Sequence, residues 1–74
     1  MVTIPQMIPV ASSDLASVGF DGSSSQLYVC FNNGTIYRYF NTPSAVYAEL
    51  MTAASHGRYF NRVIRNHYYY QRIR

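Results

Sequence analysis

The hairpin signal in "LYVCFNNGTIYRYF", residues 27–40, constrains the fold of this chain more than any other feature of its sequence. Two runs of mostly aromatic and β-branched residues, 27–31 and 35–40, flank the dipeptide Asn33-Gly34, and such runs beside turn residues are typical of strands. Asn-Gly is a favoured pair for a two-residue hairpin turn, in which both positions take a positive φ. The sequence therefore predicts two antiparallel strands joined by a tight turn with Asn33-Gly34 at its tip.

This turn also predicts which side chains share a face of the sheet. With a two-residue tip, Phe31 is expected to pair with Ile36 and Cys30 with Tyr37, and side chains alternate across each strand. One face is predicted to pack on the core, and it carries Leu27, Val29, Phe31, Ile36 and Phe40, with Arg38 among them. The other is predicted to be a solvent-facing tyrosine surface made of Tyr28, Cys30, Tyr37 and Tyr39.

The sequence on either side of the hairpin predicts one further strand and a helix. Residues 15–20, "LASVGF", are expected to form the first strand of the sheet. The segment "NTPSAVYAELMTAAS", residues 41–55, has apolar side chains at helical spacing. Thr42 is a suitable N-cap, Pro43 suits the first helical position, and Gly57 is expected to end the helix.

A second, shorter helix is predicted from about residue 58 to residue 66. Its arginines are expected to line the side away from the core, and they are Arg58, Arg62 and Arg65. Residues 67–74 show no helical period and are expected to be extended, without a predicted place. Residues 1–9, which contain Pro5 and Pro9, predict an extended N-terminal arm ahead of a single domain over residues 10–74. The predicted fold is α+β, a three-stranded antiparallel meander with two helices packed on one face.

Composition restricts the class of protein. A chain of 74 residues makes one small domain with a thin core. One cysteine cannot form an internal disulfide and suits a reducing compartment. No apolar run approaches the roughly 20 residues that a membrane span needs. We therefore expect a cytoplasmic protein that does not associate with a membrane.

The sequence does not contain the residue sets that most enzymes use. Cys30 is predicted to lie within a strand with no histidine near it in sequence, and His56 and His67 have no acid in their segment. The carboxylates are few and scattered, and they are Asp14, Asp21 and Glu49. One cysteine and two histidines do not suggest a structural zinc site. We expect no catalytic residues, no metal, no cofactor and no small-molecule substrate.

The tyrosines and arginines instead predict a binding surface. All six cationic side chains are arginine, whose planar fork of donors suits phosphate and carboxylate groups and stacks on rings. The candidate binding residues are Tyr28, Tyr37, Arg38, Tyr39, Arg58, Arg62 and Arg65. The alternative is that the tyrosines are cross-strand pairs that only stabilise a thin sheet. Replacing Tyr37 and Tyr39 together by alanine, with the fold expected to survive, would separate the two interpretations.

The order of several short motifs resembles the KTSC domain family over about residues 12–73. The matching segments are "SSDLASVGFD", a YxY motif at Tyr37-Arg38-Tyr39, "NTP" from Asn41, "VYAEL" from Val46 and "SHGRYFN" from Ser55. The resemblance implies a KTSC-like domain over residues 10–74. Such domains occur alone in bacterial and phage proteins and at the C-terminus of some lysyl-tRNA synthetases. That context implies RNA binding by association alone.

A narrower resemblance, to small basic transcription regulators of Xanthomonas phages, implies a different partner. It predicts a non-enzymatic protein that binds bacterial RNA polymerase in the host cytoplasm and interferes with σ-factor and promoter engagement. The second hypothesis is a small RNA- or single-strand-binding module that uses the same Tyr/Arg surface. Salt distinguishes them, because binding through phosphates weakens steeply as salt rises.

Overall fold

The chain folds into one antiparallel sheet with two helices on one of its faces, in a computed structural model that describes residues 3–74. The strands are β1 (Ile8–Pro9), β2 (Leu15–Asp21), β3 (Gln26–Phe31), β4 (Ile36–Tyr39) and β5 (Tyr70–Arg72). The helices are α1 (Ser44–Thr52) and α2 (His56–Tyr59), and α2 continues into a π-helical segment, Phe60–Ile64. Within the described residues, no helix has the length and apolar character needed to cross a membrane.

The predicted α+β class with two helices is confirmed, but the sheet has five strands, not three. They follow one another in the order β1-β2-β3-β4-β5, so the meander is longer at both edges. The arm contributes β1, in which Ile8 faces Val18. The tail contributes β5, in which Tyr70 faces Tyr39. Residues 1 and 2 of the predicted arm lie outside the described residues.

The hairpin turn is longer by one residue than predicted. The N–H of Phe31 donates to the carbonyl of Thr35 and the N–H of Gly34 donates to the carbonyl of Phe31, each at 2.9 Å. Only Gly34 has a positive φ in this loop, at 91°. These features define a type I turn followed by a glycine bulge. The Asn33 side chain holds this turn, because its Oδ1 accepts from the Thr35 N–H at 3.1 Å and from the Thr35 hydroxyl at 2.8 Å.

The extra loop residue reverses the predicted faces of β4. Leu27 pairs with Tyr39 and Tyr28 pairs with Arg38, one position away from the predicted pairs. A one-residue shift moves every side chain of a strand to the other side of the sheet. The helix-facing side carries Leu27, Val29, Phe31, Tyr37 and Tyr39. The opposite side carries Tyr28, Cys30, Ile36 and Arg38. The predicted solvent-facing tyrosine surface was therefore wrong.

The core lies between the sheet and the helices. It is formed by Leu15, Val18, Leu27, Val29, Tyr39, Leu50, Tyr59, Phe60 and Ile64. Thr42 is fully buried beside it, and its hydroxyl donates to the carbonyl oxygen of Tyr39 at 3.2 Å. Thr42 therefore does not cap α1, whose first turn follows Pro43 without a side-chain cap.

The boundary between the two helices also differs from the prediction. The first helix ends at Thr52, with Ala53 as its C-cap, and Gly57 lies inside α2 instead of ending α1. Ser55 caps α2, because its hydroxyl oxygen accepts from the Arg58 N–H at 3.2 Å. A serine cap satisfies one of the free N–H groups of the first turn, which explains why the helix restarts there.

The N-terminal arm lies against the side of the sheet opposite the helices. Gly19 faces Tyr28 on that side. A Cβ on Gly19 would lie 2.8 Å from the Gln6 carbonyl oxygen and 2.7 Å from the Met7 sulfur, so the arm approaches the sheet where a side chain is missing. Tyr28 is 2% exposed. The arm therefore makes this part of the sheet a buried surface.

Candidate functional site

A cleft of about 590 Å³ opens between the helix-facing side of β4 and β5 and the π-helical segment. Its aromatic wall is formed by Phe31, Tyr37, Tyr39, Phe60 and Tyr70. Its polar rim includes Asp14, Asn32, Asn61, Arg65 and Asn66. This volume falls within the range of about 300–1,000 Å³ that is usual for ligand pockets. Polar residues outnumber the aromatic ones in the lining, so the cleft is more polar than most such pockets.

The aromatic wall is a connected cluster of rings. The Tyr37 and Tyr39 rings lie on one face because they are two residues apart in a strand, and their centroids are 6.5 Å apart at an interplanar angle of 23°. Phe60 meets the Tyr39 ring edge to face at 5.6 Å. Tyr70 lies 5.6 Å from Tyr37 and 5.8 Å from Tyr39. These separations lie in the favourable range of about 4.5–7 Å for aromatic pairs.

Exposure rises along this wall from the core to the solvent. Phe60 and Tyr39 are each 4% exposed, Tyr37 is half-buried, and Tyr70 is 48% exposed. Tyr39 and Phe60 therefore belong to the core as much as to the cleft, whereas Tyr70 presents a ring that a ligand can reach. The cleft wall is rigid at its inner end and accessible at its outer end.

The π-helical segment places the rim residue Arg65 beside the rings. The Arg65 N–H donates to the Phe60 carbonyl at 2.9 Å, which is the five-residue spacing of a π-helix. Asn66 follows with φ of 65°, a left-handed conformation that asparagine tolerates and that ends the helical segment. The Arg65 guanidinium is exposed at the rim, where Nη1 donates to Asn61 Oδ1 at 3.4 Å.

The charges of the cleft are balanced, and its buried phenol, Tyr39, is neutral. Arg65 is the cation and Asp14 the carboxylate among the lining residues. Burial raises the pKa of Tyr39 far above the ordinary tyrosine value, and the neighbouring Tyr37 and Tyr70 add to the rise. Tyr39 therefore remains a neutral hydrogen-bonding group at physiological pH. The cleft suits a planar ligand that has both donors and acceptors better than it suits a bare anion.

A second depression of about 480 Å³ adjoins the cleft and extends it. Four residues line both, and they are Ser13, Asp14, Gly57 and Asn61. The extension also has Ser12, Ser55 and Arg58 along its sides. His56 lines it too, but His56 Nδ1 lies 2.7 Å from the Leu50 carbonyl oxygen, so the backbone occupies that nitrogen.

The structure brings together only part of the predicted site. Tyr37, Tyr39 and Arg65 line the cleft. Arg58 and Arg62 are exposed on the helical layer, outside the cleft. The other two predicted residues, Tyr28 and Arg38, lie on the opposite side of the sheet. No single surface therefore holds all seven predicted residues.

The two residues on the opposite side are occupied by contacts within the chain. Tyr28 is buried, and its hydroxyl donates to Gln26 Oε1 at 3.0 Å. The Arg38 guanidinium lies 4.8 Å from the centroid of the Phe40 ring, and its Nη2 donates to Gln71 Oε1. The one-residue shift of β4 is the reason that Arg38 is separated from the tyrosines on either side of it.

Sequence reasoning missed most of the cleft residues, and three of them are important for the site. Phe60 was assigned to the core, which is correct but incomplete. Tyr70 lies in the tail, whose place was not predicted, and its segment "HYYYQRIR" has no apolar alternation that would have indicated a strand. Asp14 precedes the first predicted strand and carried no signal of its own. In residues 3–74 no cluster of three His, Cys, Asp or Glu side chains could hold a metal ion.

The chain resembles several proteins over most of its length. It is 42% identical over 67 residues to an uncharacterized protein of Stutzerimonas stutzeri, a match that covers 89% of this chain and 94% of that protein. A protein of Tsukamurella paurometabola is 34% identical over 59 residues, with 80% and 88% coverage. A lysine–tRNA ligase of Nostoc is 29% identical over 73 residues, which are 99% of this chain and 13% of the ligase.

A solved structure has the same fold. The crystal structure of a KTSC domain protein from Yersinia pestis superposes with a TM-score of 0.88 at 33% sequence identity, and the match covers 93% of this chain and 97% of the other. The family model of the KTSC domain matches residues 11–69, which include β2, β3, β4 and both helices. By sequence and by fold, this chain belongs to the KTSC domain family.

Proposed function

We propose that this KTSC domain is a non-enzymatic module that binds single-stranded RNA by taking an unpaired base into the aromatic cleft. The observation that carries the proposal is the placing of Tyr70, an accessible ring that is 48% exposed, beside Tyr37 and Arg65 at the mouth of the cleft. An unpaired base stacks on such a ring with about 1–3 kcal/mol per base.

The charges outside the cleft suit the backbone of the same ligand. The chain carries a formal net charge of +3. Four arginines are exposed outside the cleft, and they are Arg58, Arg62, Arg72 and Arg74. Arginine binds phosphate through two parallel hydrogen bonds, so these side chains are the groups we expect to contact the phosphates of an RNA strand whose base occupies the cleft. The cleft has equal numbers of positive and negative side chains, and the surface around it is positively charged. This distribution of charge suits a neutral base attached to an anionic backbone.

The lysine–tRNA ligases support RNA over other anionic partners. Both the Nostoc and the Trichormus variabilis ligases match 99% of this chain within 13% of their own length. A domain like this one is thus a small part of enzymes that are named for acting on transfer RNA. The ligases are the reason for proposing RNA as the ligand. The aromatic rings of the cleft are the reason for proposing that a base of that RNA stacks there.

A binding role fits the groups that would otherwise be candidates for catalysis. The Cys30 thiol donates to the Phe31 carbonyl at 3.6 Å on the side of the sheet away from the cleft. His56 is held by the Leu50 carbonyl. A general base must have a free nitrogen or oxygen that reaches the proton it removes, and Cys30 Sγ and His56 Nδ1 are each engaged by a main-chain carbonyl.

The RNA polymerase role that the narrower phage resemblance predicts stays a prediction. A nuclease-treated pull-down from bacterial lysate tests it directly. Retention of polymerase subunits after nuclease treatment would favour polymerase over RNA as the partner. Loss of all bound material under the same treatment is the result expected for an RNA-binding module.

The decisive test of RNA binding compares two neighbouring tyrosines. Tyr70 lines the cleft, whereas Tyr69 is 78% exposed and stacks near Phe40 on the other side of the sheet, with ring centroids 5.4 Å apart. Tyr70→Ala should weaken binding of a labelled single-stranded RNA of about ten nucleotides by about 5- to 150-fold, the loss of one stacked base. Tyr69→Ala should change the Kd less than twofold.

Fluorescence anisotropy between 50 and 200 mM salt measures both effects. The logarithm of the binding constant should fall with the logarithm of salt by about 0.7 for each phosphate contact. Circular dichroism confirms that each variant remains folded. Absence of RNA binding by the parent protein at 50 mM salt, or an equal loss in the two variants, would overturn the proposal.

A further inference from the structure

The geometry points to guanine as the base that the cleft selects, with the Asp14 carboxylate binding its Watson–Crick edge. This inference rests on the proposed function and names the specificity of the same site. Asp14 is the carboxylate among the lining residues, and it lines both the aromatic cleft and its polar extension. A carboxylate beside stacking rings is unfavourable for an RNA phosphate, so a role in base recognition explains it better.

The backbone of Asp14 is held in place from both directions. Its N–H donates to the Ser12 hydroxyl oxygen at 3.2 Å, and its carbonyl accepts from the Asn32 N–H at 2.9 Å. The Asn32 side chain also donates to the Ser13 carbonyl at 2.8 Å. Asp14 is thereby fixed to Asn32, the first residue of the hairpin loop. Asn32 directly follows Phe31, whose ring lines the cleft. Because the backbone is fixed, a ligand that binds the carboxylate has to order only the Asp14 side chain.

The carboxylate itself is left free. Among residues 3–74, no donor lies within hydrogen-bond distance of either oxygen, and the side chain is exposed. Its nearest neighbour is the first turn of α2, where a Cβ on Gly57 would lie 3.4 Å from Oδ2. Because Gly57 has no side chain, the space beside the carboxylate stays open towards the cleft. Both oxygens are thus available to a ligand.

Base chemistry decides which ligand this acceptor prefers. Single-stranded bases are recognised through their Watson–Crick edges, and a carboxylate offers two acceptor oxygens side by side. Guanine alone presents two adjacent donors there, the N1–H and the 2-amino group. Adenine and cytosine place one amino group beside an acceptor, and uracil places one N–H between two carbonyls. Only guanine satisfies both oxygens, in a charge-assisted bidentate pair.

Arg65 completes the set of groups that guanine needs. Its guanidinium lines the same cleft, and arginine commonly pairs with the O6 and N7 acceptors of guanine. The tyrosine rings supply the stacking surface, Asp14 the acceptors and Arg65 the donors. A pyrimidine or adenine leaves the Asp14 carboxylate desolvated and only partly paired, which lowers its affinity.

The test uses one RNA scaffold and two matched variants. Uridine oligomers of about ten nucleotides carry a single central guanosine, adenosine, cytidine or inosine, or remain all uridine. Asp14→Asn keeps the size of the side chain and removes one acceptor. Asp21→Asn is the control, because it removes one negative charge as Asp14→Asn does. Asp21 lies at the end of β2 and does not line the cleft. Anisotropy titrations give the Kd for each pair.

The parent protein should bind the guanosine oligomer about 5- to 150-fold more tightly than the adenosine, cytidine or uridine oligomers, the usual discrimination of one bidentate pair. Inosine lacks the 2-amino group and should bind between guanosine and adenosine. Asp14→Asn should abolish the preference, so that the guanosine and uridine oligomers bind the variant with Kd values within about twofold of each other. Asp21→Asn should retain the preference.

Failure of the inference is distinguishable from failure of the proposed function. Equal binding of all oligomers by the parent protein overturns guanine selection and leaves RNA binding intact. A guanine preference that survives Asp14→Asn overturns the assignment to this carboxylate. Absence of binding to every oligomer overturns the proposed function itself, and the inference with it.

Discussion

The two sides of the sheet carry similar aromatic and arginine side chains in and next to β4 and β5, but these side chains make different contacts on each side. The helix-facing side has Tyr37 and Tyr70 beside Arg65, and the opposite side has Phe40 and Tyr69 beside Arg38. The helix-facing side is concave here, because the π-helical segment forms a second wall. Aromatic and arginine side chains therefore make a candidate site only where another layer encloses them.

The two arginines show the same contrast. Arg38 is half-buried, with its guanidinium over the Phe40 ring and one nitrogen donating to Gln71. Its Nε is buried and has no hydrogen-bond partner among the described residues. Arg65 is exposed, and within residues 3–74 its side chain makes one long hydrogen bond, to Asn61. Arg38 is thus engaged within the sheet, whereas Arg65 can turn to a ligand.

The largest expected effect is on the free energy of unfolding, when a buried tyrosine is replaced instead of an exposed one. Tyr39→Ala should destabilise the fold by about 3–5 kcal/mol, because the ring is 4% exposed and packs on Phe60. A domain this small is marginally stable, so the variant should be largely unfolded. Tyr69→Ala, on the open side, should change the free energy of unfolding by less than about 0.5 kcal/mol.

Urea denaturation followed by circular dichroism measures both variants. A stable, fully folded Tyr39→Ala protein would contradict the placement of β4. The same burial reverses the expectation, drawn from sequence, that Tyr37 and Tyr39 could be replaced together with the fold intact. Binding studies are better directed at Tyr70, whose ring is not part of the core.

The sequence predicted the elements well and their alignment poorly. Strands β2 to β4 and the two helices follow from aromatic, β-branched and helical spacing, which are local properties. The register depends on whether the loop holds two residues or three, and Asn33-Gly34 is compatible with either. The hydrogen bonds from Thr35 to the Asn33 side chain accompany the longer loop, and they are visible only in the structure.

The candidate site was harder to predict because its parts are distant in sequence. Asp14 precedes β2, Tyr37 lies in β4 and Tyr70 in β5, and the order of the sheet brings the two tyrosines together. β5 is three exposed residues long, so no apolar alternation marks it as a strand. Its pairing with β4 is a long-range contact that local propensity does not encode.

A smaller effect is expected where the arm covers the opposite side. Gly19→Ala should cost about 1–3 kcal/mol, because the new methyl would lie 2.8 Å from the Gln6 carbonyl oxygen, a backbone atom that cannot swing aside. Gly22→Ala is the control, since its Cβ would meet only the edge of Phe20 at 3.9 Å. Equal urea midpoints for the two variants would show that the arm does not hold this side.

The smallest effect concerns a hydrogen bond between the two helices that depends on pH. Residues 3–9 of the arm carry no ionisable side chain, so the arm has no comparable contact. The Tyr59 hydroxyl donates to Glu49 Oε1 at 2.6 Å, and burial together with that carboxylate raises the pKa of Tyr59 to about 12. An unfolded tyrosine ionises near pH 10. The folded state therefore favours the neutral phenol. The stability that this phenol contributes is complete below about pH 10 and is lost as the pH rises towards 12.

Tyr59→Phe should lower the free energy of unfolding at pH 8 by about 0.5–1.5 kcal/mol, the contribution of one hydrogen bond. It should also make the decline in the urea midpoint between pH 10 and 12 shallower, although Tyr39 still contributes. If the urea midpoint of the parent protein and of the variant fell equally between pH 10 and 12, the hydrogen bond from Tyr59 to Glu49 would not contribute to the pH dependence of stability.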